Sequence, residues 1–220
     1  MAPPAEVTIR YEQNPDEKTI EDAARLYIDL SKDDPAFDAA VSGRRELSWI
    51  MATGVLKPLS LVSGELYTAK NEKGELVGFS GWTPPGRDVF DTPDQLEMGF
   101  SEFLSQLDEE ARKFQRKMLG ENIPKFVDGS LGIEKAEIKT YWCWFAYVRE
   151  DYQNMGIATA IFDIVYEKAK STGALMGLLT GGAVNVAKYE HLGFKNHGEQ
   201  HFVSWWAEWT FYCLARKTSE

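Results

Sequence analysis

Apolar and polar positions follow two rhythms along this chain. Val7 to Tyr11 alternates with a period of two and predicts a short strand, followed by a turn at Asn14-Pro15-Asp16. From Thr19 to Leu30, the residues Ile20, Ala23, Ala24, Tyr27 and Ile28 recur at helical spacing behind an acidic start that suits a helix N-terminus. Asp34-Pro35 breaks that helix. Phe37 to Ala52 predicts a second one, closed near Gly54 and stopped by Pro58. The runs Glu65 to Lys70 and Leu76 to Trp82 flank a Gly-containing turn and predict a β-hairpin ended by Pro84-Pro85-Gly86. From about 87 to 135 the pattern predicts a helical insert. It contains one strong helix, with Leu96, Phe100, Phe103, Leu107, Phe114 and Met118 on one stripe and Gly120 and Pro124 as its bound.

Thr140 to Val148 is a continuous apolar and aromatic run, as expected of a strand buried on both faces in the middle of a sheet. A loop through Gln153 and Gly156 leads into a helix over Ile157 to Lys170, capped by Gly173. Ala174 to Thr180 predicts another buried strand and Val184 to His191 a short helix. Phe194 to His197 and Trp205 to Leu214 predict two closing strands, with a loose tail from Lys217. No internal repeat or linker interrupts this order, which predicts one α/β domain over residues 1–220.

Charge narrows the partners. Thirty-four acidic against twenty-four basic residues give a net charge of −10, so neither nucleic acid nor an anionic membrane is an expected partner. Residues 1–40 hold ten of the acids and four of the bases, which biases that end of the chain toward cationic ligands. No apolar run approaches a membrane span and the first ten residues carry no leader-like core, so the expected address is cytoplasmic. Cys143 and Cys213 lack the partners of a disulfide framework or zinc site, and no metal is expected.

The segment Val148 to Ala158 carries the chemistry. A buried strand feeds a small-residue turn and then a helix, which leaves the N–H groups from Gln153 to Ala158 free at a positive helix end, a ready anion site. Gly156 permits close approach of the main chain, and Ala158 keeps the first turn thin. The turn has neither the Gly-Lys-Ser/Thr of a P-loop nor the three glycines of a dinucleotide fingerprint.

This spacing resembles the pyrophosphate loop of the GNAT superfamily of acyl-CoA-dependent N-acyltransferases: Gln or Arg, two residues, Gly, one residue, then Gly or Ala, here Gln153, Gly156 and Ala158. Downstream, Tyr189 to Phe194 is similar to the family's second signature, an aromatic helix ending in Leu-Gly-Phe. The resemblance covers Thr140 to Phe194. It implies a GNAT fold: a mixed central β-sheet flanked by helices, splayed after the central strand, with the helical insert before that strand. It also implies acetyl-CoA as co-substrate and direct acetyl transfer to a primary amine. A small molecule is the preferred acceptor, since the insert and the aromatic residues suggest an enclosed pocket. Protein N-acetylation and a non-catalytic acyl-CoA-binding module are the alternatives, and the chain is expected to be a monomer or homodimer.

By the same resemblance, the backbone of Ala146, Tyr147 and Val148 pairs with pantetheine as an added strand. The loop residues Gln153, Asn154, Met155, Gly156, Ile157 and Ala158, with Thr159, hold the pyrophosphate, and Tyr189 protonates the departing thiolate. Glu150 stands where the family often has proline, and Asn154 and Met155 where it often has basic residues. That leaves the amides as main donors and Arg149, Lys188 or Lys195 as replacement counter-charges. The general base stays open among His191, His197, His201, a carboxylate such as Glu137, and a water chain. One set of the aromatic residues Tyr141, Trp142, Trp144 and Phe145 is expected to line the acceptor pocket. Trp205, Trp206 and Trp209 wall it or form a dimer face, and the insert forms a lid or side wall, or a packed scaffold.

Overall fold

Seven strands form one sheet in the computed structural model, which describes residues 3–218. In chain order the elements are β1 (Thr8–Glu12), α1 (Glu17–Leu30), α2 (Pro35–Ala40), α3 (Ser48–Pro58), β2 (Glu65–Lys70) and β3 (Leu76–Thr83). The insert contributes α4 (Pro93–Leu96), α5 (Phe100–Ser105), α6 (Glu109–Lys117), α7 (Ile123–Leu131) and α8 (Ala136–Lys139). Then come β4 (Tyr141–Val148), α9 (Ile157–Thr172), β5 (Met176–Gly181), α10 (Ala183–His191), β6 (Lys195–Val203) and β7 (Glu208–Arg216). The strand order is β1-β2-β3-β4-β5-β7-β6, antiparallel throughout except for the β4–β5 pair, which α9 connects as a crossover. Among the described residues no helix is long and apolar enough to cross a membrane.

Each face of the sheet is covered by a different set of helices. On one, Ile157, Ile161, Phe162 and Val165 of α9 pack on Tyr67, Trp82, Cys143 and Leu178. On the other, Ile20, Ala23 and Ala24 of α1 and Leu56 of α3 pack on Leu66, Phe79 and Phe145. Buried Glu65 ties the first face together: its carboxylate accepts from Tyr67 Oη at 2.6 Å and Tyr141 Oη at 2.9 Å and pairs with Lys168 of α9.

Several expectations need correction. The helix expected over Phe37 to Ala52 is two, because Ser42 and Gly43 take left-handed backbone angles (φ 51° and 68°) that end α2 before α3 begins. Gly54 does not stop α3 either. It lies inside the helix, where it lets α5 approach so closely that a Cβ would sit 2.7 Å from the Phe100 nitrogen. Gly54→Ala is therefore expected to cost about 1–3 kcal/mol by overpacking, read as a lower urea midpoint at unchanged slope. A cost below about 0.5 kcal/mol would mean that α5 yields without strain.

The insert is likewise a series of short helices. Asp108, which reads as part of a solvated charge run, caps α6 by accepting from the Ala111 N–H at 2.8 Å, so a new helix starts in mid-stripe. Gly120 lies in a π-turn over Met118–Asn122, and Pro124 falls in the first turn of α7. The apolar stripe survives the breaks: Phe100, Phe103 and Leu107 bury against α3, and Met118 against α7. The closing strand β6 runs on to Val203 as a mostly exposed edge strand, with a bulge between Asn196 and Gly198. At the C-terminus, Lys217 does not open a loose tail: Thr218 Oγ1 donates to the Ala174 carbonyl at 2.8 Å, and the last two residues lie outside the described ones.

Candidate functional site

The sheet opens at β4. This strand pairs with β5 only where Tyr141, Trp142 and Cys143 face Met176, Gly177 and Leu178, whereas β5 stays paired to β7 as far as Gly181. From Trp144 onward β4 has a neighbour only on the β3 side, so a row of backbone donors and acceptors faces the gap. A bulge sits at the branching point: Gly81 faces Phe145 and Trp82 faces Cys143, which leaves Trp144 as the extra residue. Strict alternation would place Trp144 and Phe145 on opposite faces. The bulge puts both, with Tyr147, on the α1 face, while Ala146 and Val148 keep to the α9 face. A cleft of about 1340 Å³ runs through this gap from one face of the sheet to the other.

At the end of β4, a 3-10 turn over Glu150–Tyr152 leads to two left-handed residues, Asn154 (φ 61°) and Gly156 (φ 77°), and then to α9. The first N–H of α9 with a partner in its own helix is that of Ala160, bonded to the Gly156 carbonyl at 3.0 Å. The N–H groups of Ile157, Ala158 and Thr159 precede it and are capped by no side chain, although Asp16, Asp34 and Asp108 cap α1, α2 and α6. An uncapped helix N-terminus opening on a cleft is a built anion cradle. Asn154 stands there for a conformational reason, since asparagine tolerates the left-handed angle better than most side chains.

The sequence-predicted residues Ala146, Tyr147, Val148, Gln153, Asn154, Gly156, Ile157, Ala158, Thr159 and Tyr189 all line the cleft, which brings them together as expected. Met155 does not: it is 39% exposed and is not part of the lining. The Gln153 side chain donates to the Val148 carbonyl at 3.0 Å and so fastens the loop to the strand. Arg149 supplies no cleft charge, because it pairs with Asp151 at 2.7 Å and stacks over Tyr152. Lys195 lies on exposed β6, whereas Lys188 lines the cleft with its Nζ 3.1 Å from Asn185.

Tyr189 reaches the gap from α10. Its ring packs beside Phe162 and Phe194, with centroids 5.9 and 6.1 Å away. Burial, then the nearby Cys143 and Tyr147, pushes its phenol well above the ordinary range, so the proton stays on the oxygen. Cys143 is buried with its thiol pushed far up and donating to the Phe145 carbonyl at 3.3 Å, an inert state that argues against an acyl-carrying cysteine.

Across the gap, on the α1 face, lies a residue that reads in the sequence only as a helix break. Asp34 caps α2, accepting from the Ala36 N–H at 2.9 Å, and its carboxylate sits against β5, where a Cβ on Gly181 would be 3.7 Å from Oδ1. It also lies near the Tyr147 hydroxyl, which Ser31 contacts at 3.4 Å, and it contributes, after burial, to the raised Tyr147 pKa. Burial, with Asp38 behind it, raises the carboxyl of Asp34 itself. Glu137 lines the cleft from α8, where burial, then Asp88 and Asp128, pushes it up to about 8.

Of the three histidines, only His191 lines the cleft; His197 and His201 lie on exposed β6. None of the three C-terminal tryptophans walls it. Trp205 is 91% exposed, Trp206 packs on Gly43 and Phe114, and Trp209 is buried beside Phe202. Trp142 and Trp144 do line it, and so do Phe100, Leu119 and Ile123 of the insert, which acts as a side wall.

A mixed seven-stranded sheet that opens beside a helix N-terminus, with helices on both faces, is the fold of the GNAT acetyltransferases. No family model matches the sequence, nor does any curated protein. Solved structures match over nearly the whole chain. One is described as histone acetyltransferase HPA2 and related acetyltransferase from Corynebacterium glutamicum: 13% identity, 98% of each chain covered, TM-score 0.60. Arylalkylamine N-acetyltransferase 2 from Aedes aegypti is 16% identical over 96% of this chain and 99% of its own, with a TM-score of 0.59. An acetyltransferase of the GNAT family from Streptococcus pneumoniae is 14% identical over 96% and 99%, with a TM-score of 0.51.

Proposed function

We propose that this protein is an N-acetyltransferase that moves the acetyl group of acetyl-CoA directly to a primary amine on a small molecule. The observation that carries this reading is the joining, through one gap in the sheet, of an uncapped anion cradle on the α9 face to a carboxylate-lined pocket on the α1 face. The edge of β4 at Ala146, Tyr147 and Val148, which has no strand neighbour on the β5 side, suits an amide-bearing pantetheine arm, and the amides of Ile157, Ala158 and Thr159 suit its pyrophosphate. Acetyl-CoA supplies the activated acyl carbon. On the other side Asp34 takes the proton from an incoming ammonium, and Tyr189 holds a proton for the thiolate that leaves. Rate comes mainly from holding amine and acyl carbon in register, with no acyl-enzyme needed. Similarity to an arylalkylamine N-acetyltransferase agrees with the aromatic walls of the pocket.

The test has two arms. Acetyl-CoA is expected to raise the Tm, and thiol release is expected with at least one member of a panel of small amines. Gly156→Val puts a β-branched side chain on a left-handed residue in the cradle, and should weaken acetyl-CoA binding about 100-fold by calorimetry. Binding without turnover on any amine or peptide would turn the reading into that of an acyl-CoA-binding module; absence of binding would remove it.

A further inference from the structure

Resting on the acetyl-transfer reading, the geometry points to a doubly charged acceptor, whose reacting amine lies at Asp34 while Glu137, with Asp88 beside it, holds a second cationic group at the other end of the same cleft. Glu137 has no hydrogen bond or ion pair among the described residues, and it is half-buried where it lines the cleft. Acids placed like it are engaged. Glu65 takes two phenols and a lysine, and Asp128 accepts from the Lys135 and Ala136 N–H groups at 2.8 Å each. A half-buried carboxylate without a partner favours a cation beside it, and burial, then Asp88 and Asp128, pushes it up to about 8.

The two acidic poles are separate. Asp34 lies by Tyr147 and Gly181. Glu137 lies just before Tyr141, close to Asp88 and to Cys213 of β7. The strand from Tyr141 to Tyr147 spans about 20 Å. Between the poles the wall is Trp142, Trp144 and Phe145, which suits an apolar body. Six carboxylates line the cleft against two lysines, Lys135 and Lys188, so away from the anion cradle a second positive charge is favoured.

Straight-chain α,ω-diamines and n-alkylamines of matching length separate this inference from the reading beneath it, when each is tested for binding to the CoA-loaded protein and for turnover. At the best length the diamine should bind about tenfold to a hundredfold more tightly than the monoamine, the scale of one charge-assisted hydrogen bond. Glu137→Gln should bring that ratio to within about threefold of one, while Gln keeps the shape. Equal binding of diamine and monoamine at every length, or a ratio that survives Glu137→Gln, would overturn the inference even with turnover intact. A diamine preference lost in Glu137→Gln but without acetyl transfer would uphold the inference and sink the reading.

Discussion

Tyr189→Phe should lower kcat by about 10²- to 10³-fold, the range of one positioned proton donor. The substitution removes a single oxygen. The ring that packs on Phe162 and Phe194 stays, and the hydroxyl has no hydrogen-bond partner among the described residues, so Tm should move by less than about 2 °C. Acetyl-CoA affinity should hold within about threefold, because the cradle and strand edge are untouched. The raised phenol pKa has a sign: the proton is retained throughout the neutral range, so no limb of the pH profile belongs to Tyr189, and the variant is slow at every pH. Single-turnover measurement is the check, since product release would mask a chemical step. Full kcat in that assay would remove the acid role. Tyr147 is the comparison, with a hydroxyl in the same region that Ser31 contacts; a matching loss in Tyr147→Phe alone would move the role there.

The anion cradle was legible because it is local. Gln153, Gly156 and Ala158 lie within one turn, and the chemistry of a helix N-terminus follows from the backbone alone. Tyr189 was legible by the Leu-Gly-Phe that ends its helix. What escaped depends on distance along the chain. Asp34 meets Tyr147 and Gly181 only because α1 and β5 approach the two sides of the opened β4, and an Asp before a Pro looks the same whether its carboxylate also faces a cleft or not. The helix breaks in the insert escaped for a related reason: an apolar stripe reports which side faces the core and says nothing of continuity, so Asp108 passed as a surface charge. The extension of β6 from His197 to Val203 escaped because most of it is exposed and, with Phe202 alone buried, it has no apolar alternation to show. The bias toward cationic ligands read from residues 1–40 narrows in the structure to Asp33 and Asp34, the only acids of that segment that line the cleft.

Asp34→Asn should lower kcat/KM at neutral pH by about 10²- to 10⁴-fold. Asparagine is as good a helix cap as aspartate, so α2 keeps its first turn and stability should change by less than about 1 kcal/mol. What goes is a carboxylate that lies beside Gly181 of β5 and near the Tyr147 hydroxyl of β4, where the two strands have separated. The pH profile distinguishes that loss from a structural one. Burial raises the carboxyl of Asp34, so on the acid side the free protein holds a proton there and cannot accept another from the amine; activity rises as pH passes this value. The variant should lose that limb. Glu137, pushed up to about 8, contributes a separate limb that Asp34→Asn leaves in place. A merely positioning Asp34 would lower activity by one factor at every pH, and a profile of unchanged shape would reassign the base to a water chain or to His191, the histidine that lines the cleft.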